Sequence, residues 1–358
     1  MSHNYTPPHH YFERPMEIEL IRSMCQKRPA PVKAEPIGTA EDGFITKKAS
    51  EWLAESDKLP DAKMLFDRFW YENELCILFA DTNTGKSILA VQLADSISRE
   101  SCVGNFELTV STQTVLYIDF ELSAKQFSTR YSDGVYGMYR FGDNFLRSSV
   151  NPDAKGAHRF KNRGEYIINA LENAILNAKA KVLIIDNITC LGSGTHGALP
   201  ALNLISQLQD IKNKYKISIL VLAHTPKRNG SKPISRDDLQ GSKMLINFCD
   251  SAFAIGDSAT QPGQRYLKQI KQRNTAETYG PDNVCLCRIV KHYNFLQFEF
   301  TDQGIETDHL RPRLINLTAE VEQKIIELHA EGQSIRQIAA QTGYSASHVY
   351  RVLKGAGK

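Results

Sequence analysis

Residues 75–87 read LCILFADTNTGKS, an apolar run that passes directly into a loop of small polar residues. The run from Leu75 to Ala80 is almost wholly apolar, which predicts a strand buried on both faces of a parallel sheet. After the loop, Leu89, Leu93 and Ile97 recur at helical spacing. The stretch therefore predicts a strand, a loop and a helix in succession.

The loop fits the P-loop pattern G-x-x-x-x-G-K-[ST], except that Ala80 replaces the first glycine. In such a loop, backbone N–H groups and the helix N-terminus face phosphate groups. Gly85 permits close approach of the backbone, Lys86 reaches the β- and γ-phosphates, and Ser87 can ligate Mg²⁺. The sequence therefore predicts a site for ATP and Mg²⁺, and the alternative is a chance G-K-S in a loop. The other predicted nucleotide contacts are Asp81, Thr82, Asn83 and Thr84.

The composition is that of an ordinary globular protein. Its 358 residues give room for two or three domains, and the net charge of +3 is too small to indicate a nucleic-acid partner by itself. No run of 18 apolar residues occurs, and residues 1–15 lack the apolar segment of a secretory signal. The seven cysteines lack zinc-type spacing, and Cys285 and Cys287 are predicted to be packed thiols on one strand. We therefore expect a cytoplasmic protein with no membrane partner.

Residues 1–60 hold seven of the fourteen prolines and show little periodicity. This pattern predicts an extended, partly disordered arm with a short helix at residues 16–25. Such an arm could wrap a neighbouring subunit, and plain disorder is the alternative. A second short helix is predicted between Asp61 and Glu74.

Strands and helices alternate from residue 75 to about residue 302, which predicts an α/β domain with a mostly parallel central sheet flanked by helices. Three of the predicted strands end in a polar residue, namely Glu121, Asp186 and His224. Because the carboxyl ends of parallel strands line the ligand crevice, we expect these side chains to converge on the P-loop.

Asp186 follows its apolar strand in the manner of a Walker B carboxylate, which holds Mg²⁺, usually through water. Many P-loop ATPases carry the catalytic glutamate at the next position, but Asn187 stands there in this chain. Glu121, on a neighbouring strand, is therefore the candidate general base. The alternative is that Glu121 only caps a turn or forms a salt bridge.

Four blocks in this order resemble those of the RecA-fold ATPases and, within them, the DnaB-type and RepA-type hexameric helicases. The blocks are residues 117–124 (YIDFELSA) with Gln126 and Arg130 following, residues 182–187, residues 237–242 with Ile246 and Asp250 following, and Lys271-Gln272-Arg273-Asn274. The resemblance spans residues 75–300 and implies a RecA-like P-loop NTPase fold.

The resemblance also implies roles for single residues. It makes Glu121 the catalytic base and Arg130 a nucleotide contact. It directs Lys271 and Arg273 into the γ-phosphate site of a neighbouring subunit, although the strand could instead pair these charges locally. His224 stands where these helicases often carry Gln, and the RepA-like branch tolerates His.

The resemblance further implies a homo-oligomer, a hexamer in this family, that would enclose single-stranded DNA in its channel. Two loops could face that channel: the small residues 191–197, and a basic loop that carries Lys227, Arg228, Lys232 and Arg236. Basic side chains suit contacts to the phosphate backbone. The alternative for such a charge run is a solvated loop.

The C-terminal residues 315–358 predict a separate small all-α domain after an ATPase domain at 61–310. The sequence SIRQIAAQTGYSASHVYR, from Ser334, resembles the helix-turn-helix of resolvases and transposase-like regulators. It implies binding to double-stranded DNA, and the alternative is a three-helix protein-binding module. The predicted DNA contacts on the third helix are Ser347, His348, Tyr350 and Arg351.

Together these patterns predict an ATP-hydrolysing DNA-binding protein, a ring-forming helicase- or loader-type motor in the replication or transfer of a mobile element. The first alternative is a DNA-binding regulator that uses ATP as a switch without translocation. A P-loop small-molecule kinase would fit the fold, but not the Lys271 and Arg273 block or the C-terminal domain.

Overall fold

The computed structural model describes residues 44–191, 198–226, 228–239, 243–312 and 315–356. The chain divides into two units between Asp61 and Ala62. In the first unit, helix α1 spans Ala49–Ser56, and none of its residues is buried. The helix predicted at residues 16–25 lies outside the described residues.

The second unit holds a large sheet with helices and a small helical domain. Its strands are β1 (Met64–Phe66), β2 (Trp70–Tyr71), β3 (Leu75–Ala80), β4 (Val115–Asp119), β5 (Ser132–Asp133), β6 (Gly137–Met138), β7 (Phe145–Ser149), β8 (Val182–Asp186), β9 (Ser218–His224), β10 (Ser251–Asp257), β11 (Gln264–Lys271), β12 (Val284–His292) and β13 (Phe295–Gly304). Its helices are α2 (Lys86–Arg99), α3 (Ala124–Arg130), α4 (Arg163–Ala178), α5 (Ala198–Tyr215), α6 (Lys243–Phe248), α7 (Ile315–Ala330), α8 (Ile335–Thr342) and α9 (Ala346–Gly355). Short 3-10 turns span Ala157–Arg159, Ile188–Cys190, Arg236–Asp238 and Glu306–His309.

The central sheet has nine strands in the order β13-β12-β11-β10-β3-β9-β8-β4-β7. The six strands from β10 to β7 run parallel to one another. Strands β11, β12 and β13 extend the sheet as antiparallel neighbours. The predicted mostly parallel α/β fold is confirmed, and β7 and β13 are edge strands that the sequence pattern did not predict.

Strand β3 is buried on both faces, as its apolar run predicts. Cys76, Leu78 and Ala80 contribute to one apolar cluster, together with helix α2 and the β12–β13 hairpin. The alternate residues Leu75, Ile77 and Phe79 contribute to a second cluster, which includes residues of α4 and α5. Because side chains alternate along a strand, one continuous apolar run supplies both cores.

The helix predicted between Asp61 and Glu74 is wrong. Strands β1 and β2 pair there as an antiparallel hairpin, with Met64 opposite Tyr71. Phe66 and Trp70 are buried, and the turn between them places Asp67 at a φ of 41°. The Asp67 carboxylate accepts hydrogen bonds from the backbone N–H groups of Arg68 and Glu107, which stabilises the turn over a helix.

The C-terminal helices form the predicted helix-turn-helix. Ser334 caps α8 by accepting the N–H of Gln337, and Gly343 ends that helix at a φ of 74°. Ser345 caps α9 by accepting the N–H of His348. A small apolar core joins the three helices, and its buried members are Ile325, Leu328, Ile338, Val349 and Leu353.

Two further predictions concern the state of the paired cysteines and the presence of a membrane span. Cys285 and Cys287 are free, buried thiols on β12, as predicted. Burial raises the pKa of Cys285 to about 12, so the thiol stays protonated. Across the described ranges, no helix is both long enough and apolar enough to cross a membrane.

Candidate active site

The P-loop turns away from the sheet directly after β3. Gly85 has a φ of 105°, and a Cβ there would lie 2.5 Å from Ile289 Cδ1 and 3.0 Å from the Phe298 ring. Glycine is therefore required both by the backbone conformation and by the approach of the β12–β13 hairpin. Thr84 Oγ1 donates to the carbonyl of Asp81 at 2.8 Å, which closes the loop on itself before α2 begins.

Lys86, the first residue of α2, is buried, and its ammonium group lies inside the loop. Its Nζ donates to the carbonyl oxygens of Ala80 at 3.0 Å and Asp81 at 2.9 Å. The same nitrogen lies 3.2 Å from Nδ1 of His224. Burial lowers the pKa of Lys86, and the carboxylates of Asp186 and Glu121 oppose this shift.

Asp186 ends β8 in a buried position beside the helix that follows the P-loop. Burial raises the pKa of Asp186, and hydrogen bonds from Ser87 and Tyr117 oppose the rise. The Tyr117 hydroxyl donates to Asp186 Oδ2 at 2.5 Å. The Ser87 hydroxyl and the Asp186 carboxylate therefore lie together, and both are oxygen ligands of the kind that Mg²⁺ prefers.

Glu121 lies between Asn187 and His224. The Asn187 amide donates to Glu121 Oε1, and His224 Nε2 lies 3.5 Å from the same oxygen. The His224 contact lowers the pKa of Glu121, burial opposes the shift, and Asn187 and Lys86 lower it further. Glu121 is therefore ionised at neutral pH and able to accept a proton.

An ion pair that the sequence did not predict shapes the turn that bears Glu121. The buried Asp119 carboxylate accepts the backbone N–H groups of Glu121 at 3.0 Å and Leu122 at 2.8 Å. Arg147 on β7 pairs with Asp119 at 2.8 Å and donates to the carbonyl of Leu122 at 2.6 Å. An acid such as Asp119 at the end of an apolar strand can be found in the sequence. Its partner Arg147 cannot, because that contact depends on the register of β4 with β7.

Arg130, predicted to contact the nucleotide, is the last residue of α3 and is half-buried. Among the described residues, its side chain forms no hydrogen bond or ion pair. The structure therefore brings together Lys86, Ser87, Glu121, Asp186 and His224, and it leaves Arg130 without a contact to them.

Lys271 and Arg273 lie toward the amino edge of the parallel strands, whereas the P-loop lies at their carboxyl edge. Lys271 pairs with Ala252, which pairs with Ile77, about 10 Å of strand before the end of β3. Its Nζ donates to the carbonyl oxygens at the end of α6, those of Ile246, Asn247 and Cys249. Neither cation reaches the P-loop of its own chain.

Arg273 is held by the same segment of chain. Its guanidinium pairs with Asp250 at 3.0 Å and donates to the carbonyl of Asn247 at 3.2 Å. The side chain is still about half exposed, at 52%. It therefore has donors available on its outer side.

The basic loop is less exposed than its sequence suggests. Lys227 lies outside the described residues, as do residues 192–197 of the other predicted channel loop. Arg228 is turned inward, where it donates to the carbonyl of Lys232 and lies 3.9 Å from Asp238. Lys232 and Arg236 are exposed, and Arg236 donates to the carbonyl of Ile270.

On α9, three of the four predicted DNA contacts are exposed, namely Ser347, Tyr350 and Arg351. His348 is half-buried instead, because its ring stacks on Tyr344 with centroids 4.9 Å apart. The buried residues Val349 and Leu353 lie on the other face of the helix. The exposed face of α9 is therefore the surface available to a DNA groove.

Residues 46–230, just over half of the chain, match the AAA domain family. The chain belongs to this family. Residues 316–356 of the AAA-domain protein match a second family, the homeodomain-like domain. A RecA-like P-loop ATPase domain is thus joined to a DNA-binding helix-turn-helix.

The AAA-domain protein matches no curated protein. Its structure is similar to that of a KaiC-like protein from the hyperthermophilic archaeon Pyrococcus horikoshii OT3, with 13% sequence identity and a TM-score of 0.44. That alignment covers 64% of this chain and 91% of the archaeal chain.

Proposed function

We propose that the protein is a Mg²⁺-dependent ATPase that assembles into a hexameric ring and acts on DNA as a helicase- or loader-type motor. The context we infer is the replication or transfer of a mobile element. The observation that carries the proposal is the ionised Glu121, held by Asn187 beside Lys86 and the Ser87–Asp186 pair. A base, a cation and two metal-type ligands then share one crevice.

In this proposal, the N–H groups of residues 82–87 and the N-terminus of α2 bind the phosphates, and Lys86 turns from its carbonyl partners toward them. Ser87 and Asp186 would hold Mg²⁺, and their adjacent oxygen donors fit that ion. When bound, Mg²⁺ would neutralise charge on the transferring phosphoryl group. Glu121 takes a proton from the attacking water.

Completion of the site in trans is part of the proposal. Lys271 and Arg273 lie at the far edge of the sheet and cannot reach their own P-loop. If they act on a phosphate, the phosphate is bound to a neighbouring chain, which a head-to-tail ring would provide. Their local bonds to α6 and Asp250 support the competing view that their role is structural.

The test is ATP turnover by the full chain with and without single-stranded DNA. A motor that tracks along DNA should hydrolyse ATP several-fold faster when single-stranded DNA is added. In the Glu121→Gln variant, both basal and stimulated turnover should be lower by at least about 10²-fold. Turnover that single-stranded DNA leaves unchanged would count against the motor.

A second candidate function, an ATP-switched DNA-binding regulator, is favoured by one set of contacts. The segment before α7 is bound to the loop that follows His224. Glu306 pairs with Lys268 at 2.5 Å and accepts the N–H of Ile234 at 2.7 Å. The N–H of Arg311 donates to the carbonyl of Gly230 at 3.0 Å.

These contacts give nucleotide binding a route to the helix-turn-helix without translocation. A regulator of this kind should bind duplex DNA with different affinity in its ATP-bound and ADP-bound forms, measured by fluorescence anisotropy on labelled duplex. Equal affinities, together with turnover stimulated by single-stranded DNA, would favour the motor instead.

A further inference from the structure

The turn that carries Glu121 depends on one buried carboxylate. Strand β4 ends at Asp119, and the chain leaves the sheet over the next three residues before Ser123 caps α3. Asp119 Oδ1 accepts the backbone N–H groups of Glu121 at 3.0 Å and Leu122 at 2.8 Å. One oxygen atom therefore fixes the backbone of Glu121 and of the residue after it.

The other oxygen of Asp119 is bound by Arg147, from the edge strand β7. Arg147 Nε lies 3.0 Å and Nη2 2.8 Å from Asp119 Oδ2. Nη2 also donates to the carbonyl of Leu122 at 2.6 Å, and the guanidinium carbon lies 4.6 Å from the centroid of the Phe127 ring. Because the guanidinium group is a planar fork of donors, it can bind the carboxylate and the carbonyl together. Arg147 thus bridges the end of β4 and the far side of the turn.

Arg147 itself lies outside the reacting groups. In the part of the chain that the structure describes, its side chain forms no hydrogen bond to Lys86, Ser87 or the carboxylate of Glu121. Any effect of this arginine on ATP turnover must therefore pass through the turn. A buried carboxylate that loses its cation is left uncompensated, which weakens the turn. A displacement of about 1 Å in a reacting group can lower a rate on the order of 10²-fold.

We propose that Arg147 is a positioning residue for the general base: by bridging Asp119 and the Leu122 carbonyl, it keeps Glu121 beside the site of the attacking water. The effect on turnover rests on the proposed ATPase function, whereas the bridge is a property of the resting protein. The role requires both bonds of the guanidinium group. A lysine should not replace it, because an ammonium group lacks the planar fork.

The first test is steady-state ATP turnover by the full chain with Arg147→Met, which keeps an unbranched side chain and removes its donors. We expect kcat to fall by roughly 10- to 100-fold. KM for ATP and the affinity for MgATP should change little, because Lys86 and the P-loop keep their contacts. Wild-type kcat in the folded variant would overturn the proposal.

The matched control is Arg99→Met, at the end of α2. Arg99 has contacts of the same kinds: its Nε lies 2.8 Å from Asp95 Oδ1, it donates to the carbonyl of Arg140, and its guanidinium carbon lies 5.6 Å from the centroid of the Tyr139 ring. None of these residues belongs to the turn, so kcat should stay at the wild-type value. An equal loss of kcat in the two variants would show a general loss of stability and overturn the proposal.

A Glu121→Gln background separates a positioning effect from any other. With no base to position, Arg147→Met should cause no further loss in the residual rate of phosphate release, measured in single turnovers with enzyme in excess. A further loss by the same factor as in the wild-type background would mean that Arg147 acts on another step, contrary to the proposal.

Hydrogen exchange reports on the bridge without any turnover. In the nucleotide-free protein, the amides of Glu121 and Leu122 should exchange faster in Arg147→Met than in the wild type, and at the wild-type rate in Arg99→Met. Equal rates in all three proteins would overturn the proposal. Faster exchange in Arg147→Met, together with a wild type that does not hydrolyse ATP, would support the bridge and contradict the proposed ATPase function.

Arg147→Lys decides the matter if Arg147→Met does not fold. This variant retains a cation opposite Asp119, so the fold should persist, but the ammonium group cannot reproduce both bonds of the fork. We expect a smaller loss of kcat than in Arg147→Met, with KM little changed and faster exchange at the same two amides. Wild-type kcat and wild-type exchange in Arg147→Lys would overturn the proposal.

Discussion

Two acids at opposite edges of the parallel strands, Asp186 at the carboxyl edge and Asp250 at the amino edge, differ in how their charges are held. At the carboxyl edge, burial lowers the pKa of Lys86 and raises the pKa of Asp186. At the amino edge, Asp250 pairs with both Lys212 and Arg273 and accepts a backbone N–H of β3. Lys86 and Asp186 are therefore held together at a cost in free energy, whereas Asp250 is stabilised by its two cations. Burial also lowers the pKa of Lys271 and raises that of Glu74 at the amino edge, so the contrast is between the two acids and not between all charges of the two edges.

This difference separates two kinds of predicted site residue. Charges that a fold keeps close despite the cost of desolvation are typical of reactive sites. Charges that are satisfied where they lie have a structural role already, and any further role of Arg273 must use the exposed half of its side chain. The carboxyl edge can therefore be tested in a single chain, and the amino edge only in an assembly.

The largest expected effect is that of Lys86→Ala. The variant removes the cation opposite the transferring phosphoryl group, so ATP hydrolysis should fall below detection and ATP binding should weaken. Both are measured in parallel, by phosphate release and by titration with a fluorescent nucleotide. Lys214→Ala, at an exposed lysine paired with Glu172, is the control and should behave as the wild type. Unchanged binding and turnover in Lys86→Ala would remove the basis for the P-loop assignment.

Arg273→Ala should lower turnover on the order of 10³-fold with nucleotide affinity largely intact, as loss of a trans-supplied arginine does. Lys212→Ala is the matched control, because it removes the other cation bound to Asp250 without touching the predicted finger. Equal losses in the two variants would show that Arg273 acts only through Asp250.

A mixture of Glu121→Gln and Arg273→Ala subunits tests whether the two edges meet across a subunit boundary. Glu121→Gln subunits still donate Arg273, and Arg273→Ala subunits still hold Glu121, so a mixture should recover part of the activity at sites that pair the two. Turnover per subunit should also rise with protein concentration as rings form. No recovery on mixing, with turnover independent of concentration, would place the whole site within one chain.

Glu121→Gln should lower kcat by at least about 10²-fold, because it keeps the shape of the side chain and removes the base for the attacking water. MgATP binding should be retained, as measured by nucleotide titration. Glu172→Gln, on the outer surface of α4, is the control and should hydrolyse ATP normally. A Glu121→Gln variant with wild-type kcat would mean that another group accepts the proton.

Local patterns in the sequence predicted much of this arrangement. The apolar run of β3 predicted a strand that supplies both cores, and the serines Ser334 and Ser345 marked the starts of two helices. Each of these features depends on residues a few positions apart. The meeting of strand ends near the P-loop followed from the same pattern, because parallel strands share one carboxyl edge.

The features that were missed depend on residues far apart in the chain. Arg147 reaches Asp119 because β4 and β7 pair with Tyr117 opposite Arg147, a register that no local pattern gives. Arg228 turns inward because it donates to the carbonyl of Lys232 and lies beside Asp238. The run of charges in the sequence is therefore not fully exposed in the structure. The β12–β13 hairpin covers Gly85 for a similar reason, since its antiparallel pairing with β11 decides where it lies.

The smallest expected effect is a difference in stability between two identical substitutions, Asp186→Asn and Asp250→Asn. Burial raises the pKa of Asp186, so the ionised carboxylate destabilises the fold at neutral pH, and Asp186→Asn should raise the free energy of unfolding. Asp250→Asn loses its charge toward Lys212 and Arg273 and should lower that free energy by about 1–3 kcal/mol.

Urea unfolding at neutral pH without Mg²⁺ measures the free energy of unfolding of both variants. We expect changes of opposite sign, a gain for Asp186→Asn and a loss for Asp250→Asn. The gain in Asp186→Asn should shrink as the pH falls toward 3.8, the ordinary value for this group, because the wild-type carboxyl is then protonated before as well as after unfolding. If both variants lost stability at neutral pH, the Asp186 carboxylate would be as well satisfied as that of Asp250. The energetic distinction between the two acids would then fail, and Asp186 would be a structural acid like Asp250.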